Sequence, residues 1–232
     1  MIGFLIYVQD FIKYVVLAPF RKDFFMHQYL CQLNEMLCFE KIQVTFQATE
    51  PYEQFTRAIF LAFVGGLVVS CPYIVYEIWS FVKPGLHPRE QKSMRGMIWI
   101  ISALFIIGVL FGYFVITPFS VVFLAGFQLS PEVQNIWRIG EVVALIAEIS
   151  LAGGILFQVP VVSYFGAKLG LLGPKMMKKY RKHAVVVILI VAGILTPPDP
   201  FSQLFLGIPM YLLYEISIWI TAVVVRNKEK AQ

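Results

Sequence analysis

Apolar runs separated by short polar connections make up this chain, and their lengths decide what they can build. Residues 58–76, 97–116, 142–165 and 204–225 each reach the roughly 20 helical residues that a hydrocarbon core of ~30 Å requires. A fifth run, 184–195, has 12 apolar residues. At 1.5 Å per residue it spans only about 18 Å. The run KKYRKH before it and TPPDP after it leave little room for extension. It reads as a short spanning helix around which the bilayer thins, because the polar stretches before it and after the last run must share a face. The first run, residues 2–19, carries Asp10 and Lys13 and has no basic residue ahead of it. That is unlike a secretory signal peptide, with its positive front and clean apolar centre. It reads as the outer end of a span whose other half lies ahead of the first residue. The pattern predicts an all-α polytopic membrane protein. Residues 1–232 form one transmembrane domain of six spans, the first truncated, with external cap segments at 20–57 and 117–141.

Composition agrees with that reading. The chain is 59% hydrophobic and 14% charged, with a mean hydropathy of +0.75. A soluble domain of this size would need a more polar surface. The placement of positive charge then sets the topology. Of 19 Lys and Arg residues, four lie in 83–95, six in 168–182 and three in 226–230. These stretches follow the second, fourth and sixth runs, and basic residues in short loops resist translocation. Both ends are therefore expected on the cytoplasmic side. The net charge of +5 is accounted for by topology and anionic membrane lipid, and no nucleic-acid module is present.

Prolines at 72, 118, 160 and 209 punctuate the spans, each removing a backbone donor and bending its helix. Residues 23–39 place apolar side chains on one helix face, which predicts a cap helix on the outer membrane surface. Ser130-Pro131-Glu132 predicts a second helix start. Catalysis finds little support. His27, His87 and His183 fall in different connections. Cys31, Cys38 and Cys71 lack metal spacing and read as free thiols. On one helix the first two would stand about 10 Å apart, beyond disulfide reach. No enzyme, metal or cofactor is expected. Three polar residues inside the spans stand out: Glu148, Gln158 and Glu215. A charged group facing lipid is costly, so each should meet a cavity, a partner or water. Glu148 leans towards a functional role. For Glu215 a structural one is equally open, since Tyr211 or Tyr214 could satisfy it.

Four ordered motifs carry a family resemblance: PYIVYEIWSFVKPGLHPRE (72–90), FGYFVITPF (111–119), FQVPVV (157–162) and TPPDPFSQ (196–203). Together they resemble the core subunit of the twin-arginine protein translocase, the TatC family, over nearly the whole chain from about Tyr7. The resemblance implies six helices in a concave, glove-like arrangement in the cytoplasmic (inner) membrane, with short fifth and sixth helices. It also implies a function. Such a subunit recognises twin-arginine signal peptides, recruits single-span TatA/TatB-type partners, self-associates in a larger receptor complex, and exports folded proteins using the proton-motive force.

Site residues carry over position by position. Glu90 matches the loop glutamate that receives the arginine pair, with Phe81 as the aromatic of the same site. A guanidinium binds a carboxylate through two parallel charge-assisted hydrogen bonds, which suits the role. Thr196 and Gln203 match the patch where partner helices dock. Pro19, Glu50 and Tyr113 match further family positions. Gln158 stands where the family often has glutamate but is an amide, which leaves two candidates for the polar group of the fourth helix: Gln158 itself, or Glu148 about 15 Å along the same helix at another depth. The family also begins with an acidic and basic segment ahead of the first helix, which this chain lacks; a truncated start is expected. Two other classes compete. A small secondary transporter would use Glu148 and Glu215 as an ion path, and a membrane scaffold would leave Glu90 and Phe81 idle.

Overall fold

The computed structural model describes residues 10–21, 24–26, 45–82, 95–126, 136–195 and 200–229. Its elements are β1 (Thr45–Gln47), α1 (Glu53–Val82), α2 (Arg95–Phe111), α3 (Thr117–Gly126), β2 (Ile136–Arg138), α4 (Ile139–Leu156), α5 (Val159–Lys168), α6 (Pro174–Lys179), α7 (Arg181–Leu195) and α8 (Pro200–Glu229). Before them, the first apolar run contributes a π-turn at Ile12–Val16 and a 3₁₀ turn at Ala18–Phe20. Among the described residues, four helical stretches are long and apolar enough to cross a membrane: Glu53–Ile78, Gly96–Gly126, Ile139–Lys168 and Leu206–Asn227. The chain is an all-α polytopic membrane protein. α7 has 15 residues and rises about 22 Å, short of a standard crossing, as the apolar count predicted.

Two features differ from the hydrophobic pattern. The third span runs ten residues further, through Thr117–Gly126, into a stretch expected as a cap. Thr117-Pro118 does not stop the helix because a π-turn, Gly112–Ile116, absorbs the proline. The Gly112 carbonyl accepts both the Thr117 backbone N–H and its hydroxyl, the latter at 2.9 Å. β1 and β2 form a parallel pair that the hydrophobic pattern does not predict, with Phe46 opposite Trp137. Three residues a side are too few to show an alternating pattern. The expected cap helix at 23–39 and the helix start at Ser130 fall almost wholly outside the described residues.

The chain packs as two compact units, Met1–Ser70 with Val109–Leu151 and Cys71–Gly108 with Ala152–Gln232. In the first, Val16, Phe20, Leu61, Val64, Val121, Val122, Val142, Val143 and Ile146 close an apolar core. Phe20 stands edge-on to both Phe46 and Trp137, ring centroids 5.3 Å apart in each case, so the strand pair covers one end of that core. Gly112 lies against the backbone of α4: a Cβ there would sit 2.6 Å from the Ile149 carbonyl oxygen. In the second unit Gly108 approaches α4 as closely, its Cβ position 2.4 Å from the Gly153 carbonyl oxygen. Two glycines one turn apart on the third span thus allow backbone-to-backbone contact, the small-residue packing that membrane helices use. Also in this unit, α8 packs along α5, α6 and α7.

Candidate functional site

Pro19 and Tyr113 meet through one carbonyl. In a helix the Val15 oxygen would accept the N–H of residue 19, but Pro19 has none. The Tyr113 phenol donates to the Val15 oxygen instead. Tyr113 lies in the π-turn Gly112–Ile116, and Phe24 packs edge-on to it at 6.2 Å and stacks on Phe114 at 6.0 Å. Pro19 itself is fully buried in the 3₁₀ turn. Two positions singled out separately in the sequence are therefore one assembly.

At the mouth of α1 the acidic residues divide their work. The Glu50 carbonyl accepts the Glu53 backbone N–H at 3.1 Å. The Glu50 carboxylate hydrogen-bonds the exposed Tyr52 phenol, and that bond, then its charge, push the phenol up from its ordinary pKa. Glu53, which sequence reasoning passed over, makes the longer connection. Its Oε2 accepts the Thr49 N–H at 2.9 Å and its Oε1 the Gly140 N–H at 3.0 Å. It thus ties the end of β1 to the first turn of α4, where a carboxylate suits the unpaired donors and the helix dipole. Gly140 is required for this seat, since a Cβ there would lie 2.2 Å from Glu53 Oε1. An acid in a helix's first turn is a visible signal; its partner 87 residues away is not.

Gln158 sits where the fourth span breaks. α4 ends at Leu156 and α5 begins at Val159 with Pro160 in its first turn. The Gln158 Nε2 donates to the Ile101 carbonyl at 3.1 Å, while its Oε1 is buried with no partner among the described residues. Glu148 is exposed on α4. Glu215 is satisfied locally: the Tyr211 phenol donates to Oε1 at 2.9 Å and Arg181 Nη2 to Oε2 at 2.7 Å. Tyr214 turns instead to the Met177 carbonyl at 2.9 Å.

Gln203 links α8 to α7, its Nε2 donating to the Leu189 carbonyl at 2.7 Å and lying 3.0 Å from the Cβ position of Gly193. Thr196 and Glu90 lie outside the described residues; Phe81 belongs to α1, with its side chain outside them. Cys71 is a buried free thiol, and Cys31 and Cys38 lie outside. Among the described residues no group of His, Cys, Asp and Glu could hold a metal.

The sequence model of the family described as Sec-independent protein translocase protein (TatC) matches residues 1–209. The chain is similar to the Sec-independent protein translocase protein TatC of Blattabacterium sp. subsp. Periplaneta americana, 36% identical over 93% of this chain and 84% of that protein. It is also similar to the TatC protein of Halalkalibacterium halodurans, 35% identical over 81% of this chain and 73% of that protein. Among solved structures, the crystal structure of the twin arginine translocase receptor TatC superposes with a TM-score of 0.69 at 25% identity, covering 95% of this chain and 97% of that one.

Proposed function

Because this chain belongs to the TatC family of Sec-independent protein translocase proteins, we propose that it is the receptor subunit of a twin-arginine export system. The observation that carries this is the family match through residues 1–209, which takes in the loop motif ending in Glu90. Glu90 receives the paired arginines of a signal peptide through charge-assisted hydrogen bonds, with Phe81 packing beside them. Both termini and the basic stretches at 83–95 and 168–182 face the cytoplasm, in the cytoplasmic (inner) membrane. Single-span TatA/TatB-type subunits dock at Thr196 and Gln203. One N–H of the Gln203 amide is given to Leu189, which leaves its second N–H and its carbonyl oxygen to meet a partner's polar group. The assembly self-associates and exports folded cargo on the proton-motive force. Pairing of Glu215 with Arg181 speaks against an ion path through that carboxylate.

The test is export in cells whose own receptor subunit has been removed. This chain restores transport of a folded reporter bearing a twin-arginine signal, and Glu90→Ala or Phe81→Ala stops it. Transport that survives both substitutions would refute the assignment.

A further inference from the structure

The break between α4 and α5 frees polar atoms that the described residues do not satisfy. Pro160 has no N–H to return to the Leu156 carbonyl, so that oxygen loses its helical donor. The backbone crosses the gap in a tight, bonded turn. The Phe157 N–H reaches the Gly153 carbonyl at 3.1 Å, and the Gln158 N–H reaches the Ile155 carbonyl at 3.0 Å. The Gln158 side chain is held too, its Nε2 donating to the Ile101 carbonyl at 3.1 Å, while its Oε1 is buried without a partner. Ser102 is the residue that follows this carbonyl on α2. It is 4% exposed, and its hydroxyl likewise has no partner among the described residues. A helical serine can donate back to the carbonyl four residues earlier. Ser217 does so in α8, to Leu213 at 2.7 Å; Ser102 makes no such bond to Ile98.

Ile101, Ser102, Leu156, Gln158 and Pro160 all belong to the second compact unit. A buried amide oxygen or hydroxyl left without a hydrogen bond is costly. Two such atoms gathered around one carbonyl call for a shared ligand. That ligand is small, since Ser102 and Leu156 are 4% and 7% exposed. It accepts from the Ser102 hydroxyl and donates to the Gln158 and Leu156 oxygens. None of these groups is charged, which favours a neutral molecule over a cation. Water meets all of these conditions.

We propose that the break holds one buried water, which accepts from Ser102 Oγ and donates to Gln158 Oε1 and the Leu156 carbonyl. About three hydrogen bonds is the usual number for a buried water, and ordered waters are one means by which a broken membrane helix re-satisfies its carbonyls. The water joins α2 to the break a second time, beside the Gln158–Ile101 bond. It gives Ser102 a role that its residue type and position do not suggest.

X-ray radiolytic labelling of this protein in detergent micelles, with rapid mixing into heavy-oxygen water, tests this. Hydroxyl radicals formed from a held water mark the side chains around it, and the heavy label reports how fast that water exchanges. Leu156 and Pro160 take up label although buried. Leu206 and Ile218, 2% and 3% exposed in the same unit, do not. Heavy oxygen arrives at Leu156 and Pro160 later than at Leu171, which is 72% exposed. Ser102→Ala makes the exchange about 5-fold faster, as expected for one lost hydrogen bond, and S102A/Q158M removes the label. Circular dichroism checks folding, and if the double variant does not fold, Ser102→Ala alone is read against the wild type. No more label at Leu156 and Pro160 than at Leu206, heavy oxygen arriving there as fast as at Leu171, or the same exchange in Ser102→Ala and wild type would overturn the proposal.

Discussion

A carbonyl oxygen in a membrane helix that loses its helical donor must find another or pay a desolvation cost. Val15 is that case, with Pro19 removing the donor and Tyr113 replacing it. Tyr113→Phe should therefore destabilise the protein by about 0.5–1.5 kcal/mol, the range of intramembrane hydrogen bonds. In a Pro19→Ala background, where residue 19 can donate, the same change should cost clearly less. Unfolding in mixed micelles measures both, and equal costs in the two backgrounds would break the link. At this scale the sequence was informative about residue type and silent about pairing. Pro19 and Tyr113 each stand out by residue type, but nothing in their spacing joins them. Glu50 stands out by family position, while Glu53, three residues on, makes the long-range connection to Gly140. Glu215 was read as satisfiable by Tyr211, and it is; Arg181, its second partner, stood out only as part of a basic run.

Elements were easier to read than residues, because span length and apolarity are properties of a window. Four spans and the short α7 follow from run length alone. The π-turn at Gly112–Ile116, the break between α4 and α5, and the β1–β2 pair did not follow. Each depends on where backbone donors go, which hydropathy does not record. Glycines expose the same limit, being identical in sequence and opposite in consequence. Gly112→Val should cost about 1–3 kcal/mol by overpacking against α4, since the Cβ position is 2.6 Å from the Ile149 oxygen. Gly65→Ala, with nothing within 4 Å of its Cβ position, should be neutral or stabilising by up to about 1 kcal/mol. Thermal unfolding of the two variants in detergent distinguishes them; equal destabilisation would mean that the third and fourth spans do not pack as described.

For the whole molecule, family membership rests on four ordered motifs whose match runs through most of the chain, and the described helices occupy the expected order. The proposed function turns on the motif that follows α1 in sequence, where Glu90 is the carboxylate proposed to meet arginine. The most direct measurement is titration of a labelled twin-arginine signal peptide into this protein, beside its Glu90→Gln variant and a twin-lysine peptide. Loss of a charge-assisted pair is worth about 1–3 kcal/mol, so Glu90→Gln should weaken binding about 5- to 150-fold. The twin-lysine peptide, without the bidentate fork, should bind weakly to both proteins. Equal affinity of wild type and Glu90→Gln for the twin-arginine peptide would contradict the account.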